Sequence, residues 1–223
     1  MRPTRLLLAL PAALALSACA GSDPAGRAAS VAATPNTGSA SASAVVLHAR
    51  YAVQGVNVVV PKSLKVSEAN MFYPVADIVW RGEPRGDRYA QVQSMVTEAA
   101  TRATGTMSEG RPVNVTIEIT RFHCLTEKTR YTVGGTHALH FRLTVTDAAT
   151  GMVLEGPRDV IADVKASGGA AAIAEEQAGR TQRVVVVDRL TDVIRRELST
   201  VVTDPEVVAR ALMASQTMPV GTN

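Results

Sequence analysis

Three histidines and a cysteine lie close together in the middle of the sequence, where they could carry chemistry. His123 precedes Cys124, and His137 forms an H-x-x-H pair with His140. A nucleophilic cysteine requires a base within hydrogen-bond reach and a lowered thiol pKa. Two imidazoles three residues apart share one face of a helix, but on a strand they face opposite sides of the sheet. Because this segment has the alternation of a strand, the spacing predicts no metal site.

The connection between these histidines, residues 121–135, is long for a hairpin and rich in positive charge. It contains Arg121, Lys128 and Arg130. Long loops often carry function, so the three cations suggest an anion-binding loop. A solvated charge cluster that pairs with itself fits the same residues.

A further cysteine ends a targeting signal at the N-terminus. Two arginines precede the apolar run 6–16, which has the length of a signal-peptide core and is too short to cross a bilayer as a helix. The tetrapeptide LSAC at 16–19 resembles the lipobox of bacterial lipoproteins. The resemblance implies cleavage after residue 18 and lipidation of Cys19, and Ala20 in place of aspartate implies export to the outer membrane, facing the periplasm. The alternative is an ordinary secretory signal cleaved nearby.

Composition and periodicity divide the 223 residues into four segments. All aromatic residues lie between Tyr51 and Phe141, so the folded part is expected to begin near residue 45. The small, turn-forming residues before it predict a flexible tether that reaches about 25–30 Å. The predicted segments are a signal peptide (1–18), a lipidated cysteine and disordered tether (19–44), one α+β domain (45–202), and a short terminal helix with a loose tail (203–223).

Hydrophobic patterning within the domain predicts an antiparallel sheet covered by two helices, which is a two-layer α+β sandwich. The clearest strand is 113–122, in which apolar and polar residues alternate, and Asp87 is a plausible N-cap for the first long helix. The expected strands are 56–60, 76–80, 113–122, 137–145 and 152–164, and the expected helices are 88–104, 171–202 and 206–214.

Several short stretches resemble an uncharacterised family of alphaproteobacterial lipoproteins, a domain of unknown function. The resemblance covers about residues 50–200 and implies no established activity. The order of tether, strands and helices is also similar in architecture to auxiliary lipoproteins of envelope transport systems, but a fold does not imply a function. The stretches that carry the family resemblance are Asn70, Pro74, ADIVWRGEPRGDR (76–88), RFH (121–123), LT (125–126) and GGTH (134–137).

Two hypotheses for function follow from these residues. The favoured one is a non-catalytic binding or assembly module of the cell envelope, attached to the membrane through Cys19 and directed at an envelope protein. The net charge of +3 is too small to indicate nucleic acid. The sequence has no G-x-S-x-G, P-loop, H-E-x-x-H or paired C-x-x-C motif, which disfavours catalysis without excluding it, and no cofactor is predicted. The alternative is an envelope hydrolase or redox enzyme built on His123, Cys124 and Arg130. The candidate ligand or partner loop of the favoured hypothesis consists of Arg121, His123, Lys128, Arg130 and His137.

The lipid anchor leads to a direct prediction. A Cys19→Ala chain cannot accept an acyl group at this position, so we expect it to leave the membrane fraction and to lose labelling by radioactive palmitate. Fractionation of cells that express the two chains measures both effects. Unchanged fractionation would contradict the lipobox assignment.

Overall fold

The computed structural model describes residues 46–202, together with Ala209 and Met213, which are helical. The predicted signal peptide, the lipidation site Cys19 and the tether lie outside the described residues. So does the predicted terminal helix 206–214, apart from those two positions. Within the described part of the chain, no helix has both the length and the apolar character needed to cross a membrane.

The described residues form a mixed α+β fold. In chain order, the elements are β1 (Val46–Ala49), β2 (Tyr51–Val59), β3 (Ile78–Val79), α1 (Arg88–Thr104), β4 (Arg111–His123), α2 (Glu127–Arg130), β5 (Gly135–Asp147), β6 (Val153–Ile161), β7 (Val164–Ala166), α3 (Gly169–Gln177), α4 (Gln182–Glu197) and β8 (Ser199–Val202).

The main sheet has the strand order β2-β4-β5-β6, with β3 also paired to β4 and β7 also paired to β5. Strands β4, β5 and β6 form the predicted antiparallel meander. The sheet as a whole is mixed rather than antiparallel, because β2 and β3 run parallel to β4. The reason is the crossover through α1, since a helical connection returns the chain in the same direction.

The core lies between one face of this sheet and the two long helices. Strand β4 has the predicted alternation, with every second residue from Val113 to Ile119 buried. Helix α1 begins at Asp87, whose carboxylate accepts the amides of Tyr89 at 2.9 Å and Ala90 at 3.1 Å, as the sequence predicted. The apolar sides of α1 and α4 pack on each other and on the sheet.

The long helix predicted over 171–202 is divided. The break follows α3, where Gly179 has a φ of +82°, a conformation that favours glycine. A new helix then begins because the Thr181 hydroxyl accepts the Val184 amide at 3.3 Å. The last residues of the predicted helix form β8 instead, since they pair with β1 in a separate two-stranded sheet.

The packing of β4 gives a matched pair of variants. Ile117 is completely buried in the core, so Ile117→Ala should lower the free energy of unfolding by about 2–5 kcal/mol. The adjacent Glu118 lies on the other face, where it pairs with Arg142 at 3.6 Å, and Glu118→Ala should cost about 1 kcal/mol or less. Chemical denaturation of both variants measures the difference. Equal losses would contradict the assigned faces of the strand.

Candidate functional site

An exposed apolar loop, residues 70–75, lies beside the basic residues that the sequence singled out. We call it the apolar loop. Its side chains at Met71, Phe72, Tyr73 and Val75 are all exposed, and Val75 reaches 95%. Pro74 alone is buried. Four consecutive or near-consecutive large side chains in solvent form a patch rather than the scattered apolar residues that are normal on a surface.

Buried side chains hold the backbone of this loop. Thr126 and Thr129 donate their hydroxyls to the carbonyls of Met71 and Phe72, both at 2.8 Å. His123 Nε2 donates to the carbonyl of Pro74, the buried residue of the loop, at 2.9 Å. All three supporting side chains are buried. Three carbonyls of the loop are thus bonded to buried side chains, while its apolar side chains project into solvent.

Two cations border the same patch. The Lys128 Nζ atom lies 4.6 Å from the centre of the Phe72 ring, and Arg121 Nη2 donates to the Tyr73 hydroxyl at 2.7 Å. The Lys128 amide also donates to the Asn70 side chain at 2.8 Å. Among the residues that the structure describes, neither cation forms an ion pair. The patch is therefore apolar at its centre and positive at its border.

The structure thus brings together three of the five predicted site residues, and it places Arg130 and His137 elsewhere. These two belong to a buried polar cluster with Gln182. His137 Nδ1 accepts the Leu125 amide at 3.3 Å, which places the ring proton on Nε2. Arg130 Nη2, His137 Nε2 and Gln182 Oε1 are buried without a hydrogen-bond partner in the described part of the chain. Burial, and secondarily the charge of Arg130, lower the pKa of His137 to about 4.

A cavity of about 200 Å³ adjoins this cluster at the start of α4. Arg81 closes one side through an ion pair with Glu127. Arg183 is held by Glu83 at 2.9 Å and Glu98 at 2.7 Å. The residues that line the cavity are Arg81, Gly82, Glu127, Arg130, Tyr131, Glu176, Thr181, Gln182 and Arg183.

The alternative catalytic centre is not assembled in the described residues. The Cys124 side chain is buried, and burial raises the pKa of its thiol, the opposite of what a nucleophile needs. The His123 ring faces the apolar loop, and no hydrogen bond joins it to Cys124 or Arg130. His137 is buried whereas His140 is partly exposed and lies 3.1 Å from Asp163, so the H-x-x-H pair does not form one site. The described chain contains no group of three side chains placed to hold a metal ion.

Sequence reasoning missed the apolar loop and Gln182. The loop had one signal, since MFYPV at 71–75 is apolar without the period of a strand or a helix, and such a run is exposed unless tertiary contacts cover it. No local sequence signal marked Gln182. It enters the buried polar cluster only because α4 approaches the segment after β4, where Gln182 Nε2 donates to the Leu125 carbonyl at 3.2 Å.

The buried imidazole of His137 leads to a pH prediction. Between about pH 6.5 and pH 4 the unfolded chain binds this proton and the folded chain does not, so stability falls as the pH falls through this range. The loss attributable to His137 should approach roughly 3 kcal/mol at pH 4. Denaturant titrations across this range measure it. His137→Gln, which retains an acceptor, should make the free energy of unfolding depend less on pH in this range. The same change at the exposed His48 is the control and should leave that dependence as it is. Equal pH dependence in the parent chain and both variants would contradict the assignment.

Two solved structures of bacterial proteins are similar to parts of this chain. A crystal structure of protein XCC0632 from Xanthomonas campestris, of family DUF330, is 12% identical, with 76% of this chain and 89% of that chain covered and a TM-score of 0.36. A Caulobacter crescentus structure described as a "putative lipoprotein" is 14% identical, with 61% and 87% covered and a TM-score of 0.29. At these TM-scores neither likeness supports an argument.

No curated protein matches the chain. One family model matches residues 51–214, which is most of the chain and nearly all of its folded part. The match includes both the apolar loop and the cavity at the start of α4. The chain belongs to DUF6778, a family of unknown function.

Proposed function

We propose that this protein is a lipid-anchored protein of the bacterial cell envelope whose folded domain is a non-catalytic module that binds an envelope protein through the apolar loop. The observation that carries the proposal is the way the loop is held. Exposed apolar side chains stand on a backbone whose carbonyls are bound by the buried side chains of His123, Thr126 and Thr129.

A loop fixed in this way suits binding for a thermodynamic reason. Association costs free energy when flexible segments become ordered, and a preorganised loop has already lost that freedom. Large apolar side chains left in water on such a loop favour association with a surface that covers them. Polar side chains at these positions would be better solvated, so solvation does not explain the apolar ones.

The charges at the border indicate the chemistry of the partner. Arg121 and Lys128 have no carboxylate of their own within the described residues, so a surface that supplies carboxylates beside an apolar recess would complement them. A single loop buries a small area, which is typical of weak, transient complexes. The expected partner is therefore a protein that offers a recess bordered by aspartate or glutamate.

The proposed anchor makes weak binding sufficient. Lipidation at Cys19, with residues 20–44 as a tether, would hold the domain within about 25–30 Å of the membrane. Confinement near the same surface as the partner raises its effective concentration, so a loop of low intrinsic affinity can still be occupied. The residue after Cys19 favours the outer membrane, with the domain facing the periplasm.

Site-specific crosslinking in intact cells tests the proposal. A benzophenone amino acid at Phe72 should crosslink a discrete protein, and Lys128→Glu should reduce that product by tenfold or more because it reverses a border charge. Lys165→Glu is the matched control, since Lys165 is an exposed lysine on β7. The same crosslinker at the exposed Val153 of β6 should not give this product.

Three results would overturn the proposal. Crosslinks to lipid would show that the loop lies on the bilayer instead of on a protein. A protein crosslink that persists in Lys128→Glu would show that the border charge has no role. If limited proteolysis shows that the chain is present and folded but Phe72 gives no crosslinked product, the loop has no partner.

A further inference from the structure

We infer that the cavity at the start of α4 is a binding site for a phosphate group, held by Arg130 and Gln182. The site lies apart from the apolar loop and does not depend on the proposed protein partner. It is defined by buried polar atoms that lack partners and by the positive end of a helix. Its volume of about 200 Å³ corresponds to several water molecules of about 30 Å³ each, which leaves room for a tetrahedral oxyanion.

Arg130 supplies an unused donor. Its side chain is 4% exposed, and Nη2 has no acceptor in the described chain. The nearest carboxylate, that of Glu176, lies 3.6 Å from Nε, which is beyond hydrogen-bond length, and it already accepts the Tyr131 hydroxyl at 2.9 Å. A buried guanidinium left in this state is costly, and an oxyanion in the cavity would supply the missing acceptor.

Gln182 supplies an unused acceptor, which restricts the kinds of ligand that fit the cavity. Its side chain is buried, Nε2 donates to the Leu125 carbonyl, and Oε1 has no donor within the described residues. A ligand that satisfies both Arg130 and Gln182 must accept and donate. Phosphate does so at neutral pH, because it carries charged oxygens together with a P–OH group. Sulfate has the same shape but no such hydroxyl.

The helix strengthens the site. Helix α4 has 16 residues and no acidic residue in its first turn, so the positive end of its dipole is not neutralised by a side chain. Thr181, Gln182 and Arg183, which start the helix, all line the cavity. Helix N-termini of this kind bind phosphate through their free amides and their dipole.

The other charges around the cavity are paired. Glu127 pairs with Arg81, and Arg183 is held by Glu83 and Glu98. Glu176 is the exception, since it is 43% exposed and only loosely placed against Arg130. Its carboxylate therefore competes with a bound phosphate for the same guanidinium, and its removal should favour the ligand.

Calorimetric titration of the full chain in detergent, with inorganic phosphate at constant ionic strength, tests the inference. We expect phosphate to bind at least about tenfold more tightly than sulfate, which corresponds to one hydrogen bond to a charged ligand. Gln182→Leu should remove that preference. Glu176→Gln should tighten phosphate binding several-fold, and Arg130→Gln should weaken it by tenfold or more. Arg196→Gln, an exposed arginine in the last turn of the same helix and outside the cavity, is the control and should change nothing.

Each contrary result is decisive. No heat with phosphate, equal affinity for sulfate, or weaker binding by Glu176→Gln would overturn the assignment. Because Glu176 is partly exposed, Glu176→Gln is expected to fold, and it still tests the inference if Arg130→Gln does not fold. A parallel titration of both ligands at about pH 5.5, where glycerol 3-phosphate still carries a P–OH group, separates the two sources of the phosphate. Tighter binding of the ester than of inorganic phosphate indicates a phosphomonoester such as a headgroup, and weaker binding indicates the free ion.

Discussion

The pairing of β4 on both of its edges is the constraint on which the rest of the structure depends. One edge carries β5 over ten paired positions, and the other carries β2 at the start and β3 at the end. The buried face of β4 supplies the centre of the core. At the end of the strand, the side chains of Arg121 and His123 bond to the apolar loop, at the Tyr73 hydroxyl and the Pro74 carbonyl. The strand therefore fixes the core and the candidate docking surface together.

The short strand β3 shows how this coupling works. Ile78 pairs with Phe122 and Val79 with His123, and the Cys124 amide donates to the Val79 carbonyl at 2.9 Å. These bonds place the segment that precedes β3, which is the apolar loop, against the end of β4 and the start of α2. Thr126 then serves two purposes, since its hydroxyl caps α2 by accepting the Thr129 amide and donates to the loop carbonyl of Met71. The loop is thus bonded to the start of α2 and followed by a strand that pairs with β4.

The buried polar cluster has a different physical character. Most buried polar groups in proteins have hydrogen-bond partners, and groups without one call for a specific explanation. Arg130, His137 and Gln182 come from α2, β5 and α4, and each retains a polar atom without a partner in the described residues. Since Arg130 and Gln182 both line one cavity at a helix N-terminus, a bound oxyanion accounts for two of the three. The apolar loop and this cavity thus lie on either side of α2, as two distinct candidate binding surfaces of one domain.

The sequence by itself determined the features that depend on local patterns. Alternation predicted β4 and β5, and the Asp87 cap with a 3.6-residue period predicted α1, because these signals depend on neighbours in the chain. It also singled out Arg121, His123 and Lys128, which the structure places against the apolar loop, but it did not identify the loop itself. Only the tertiary structure decided that β2 and β3 run parallel to β4 and that residues 199–202 pair with β1. It also decided that Arg130 and His137 join Gln182 in a buried polar cluster away from the loop. These outcomes depend on contacts between residues far apart in the chain, and the periodicity of one segment carries no information about which distant segment will pack against it.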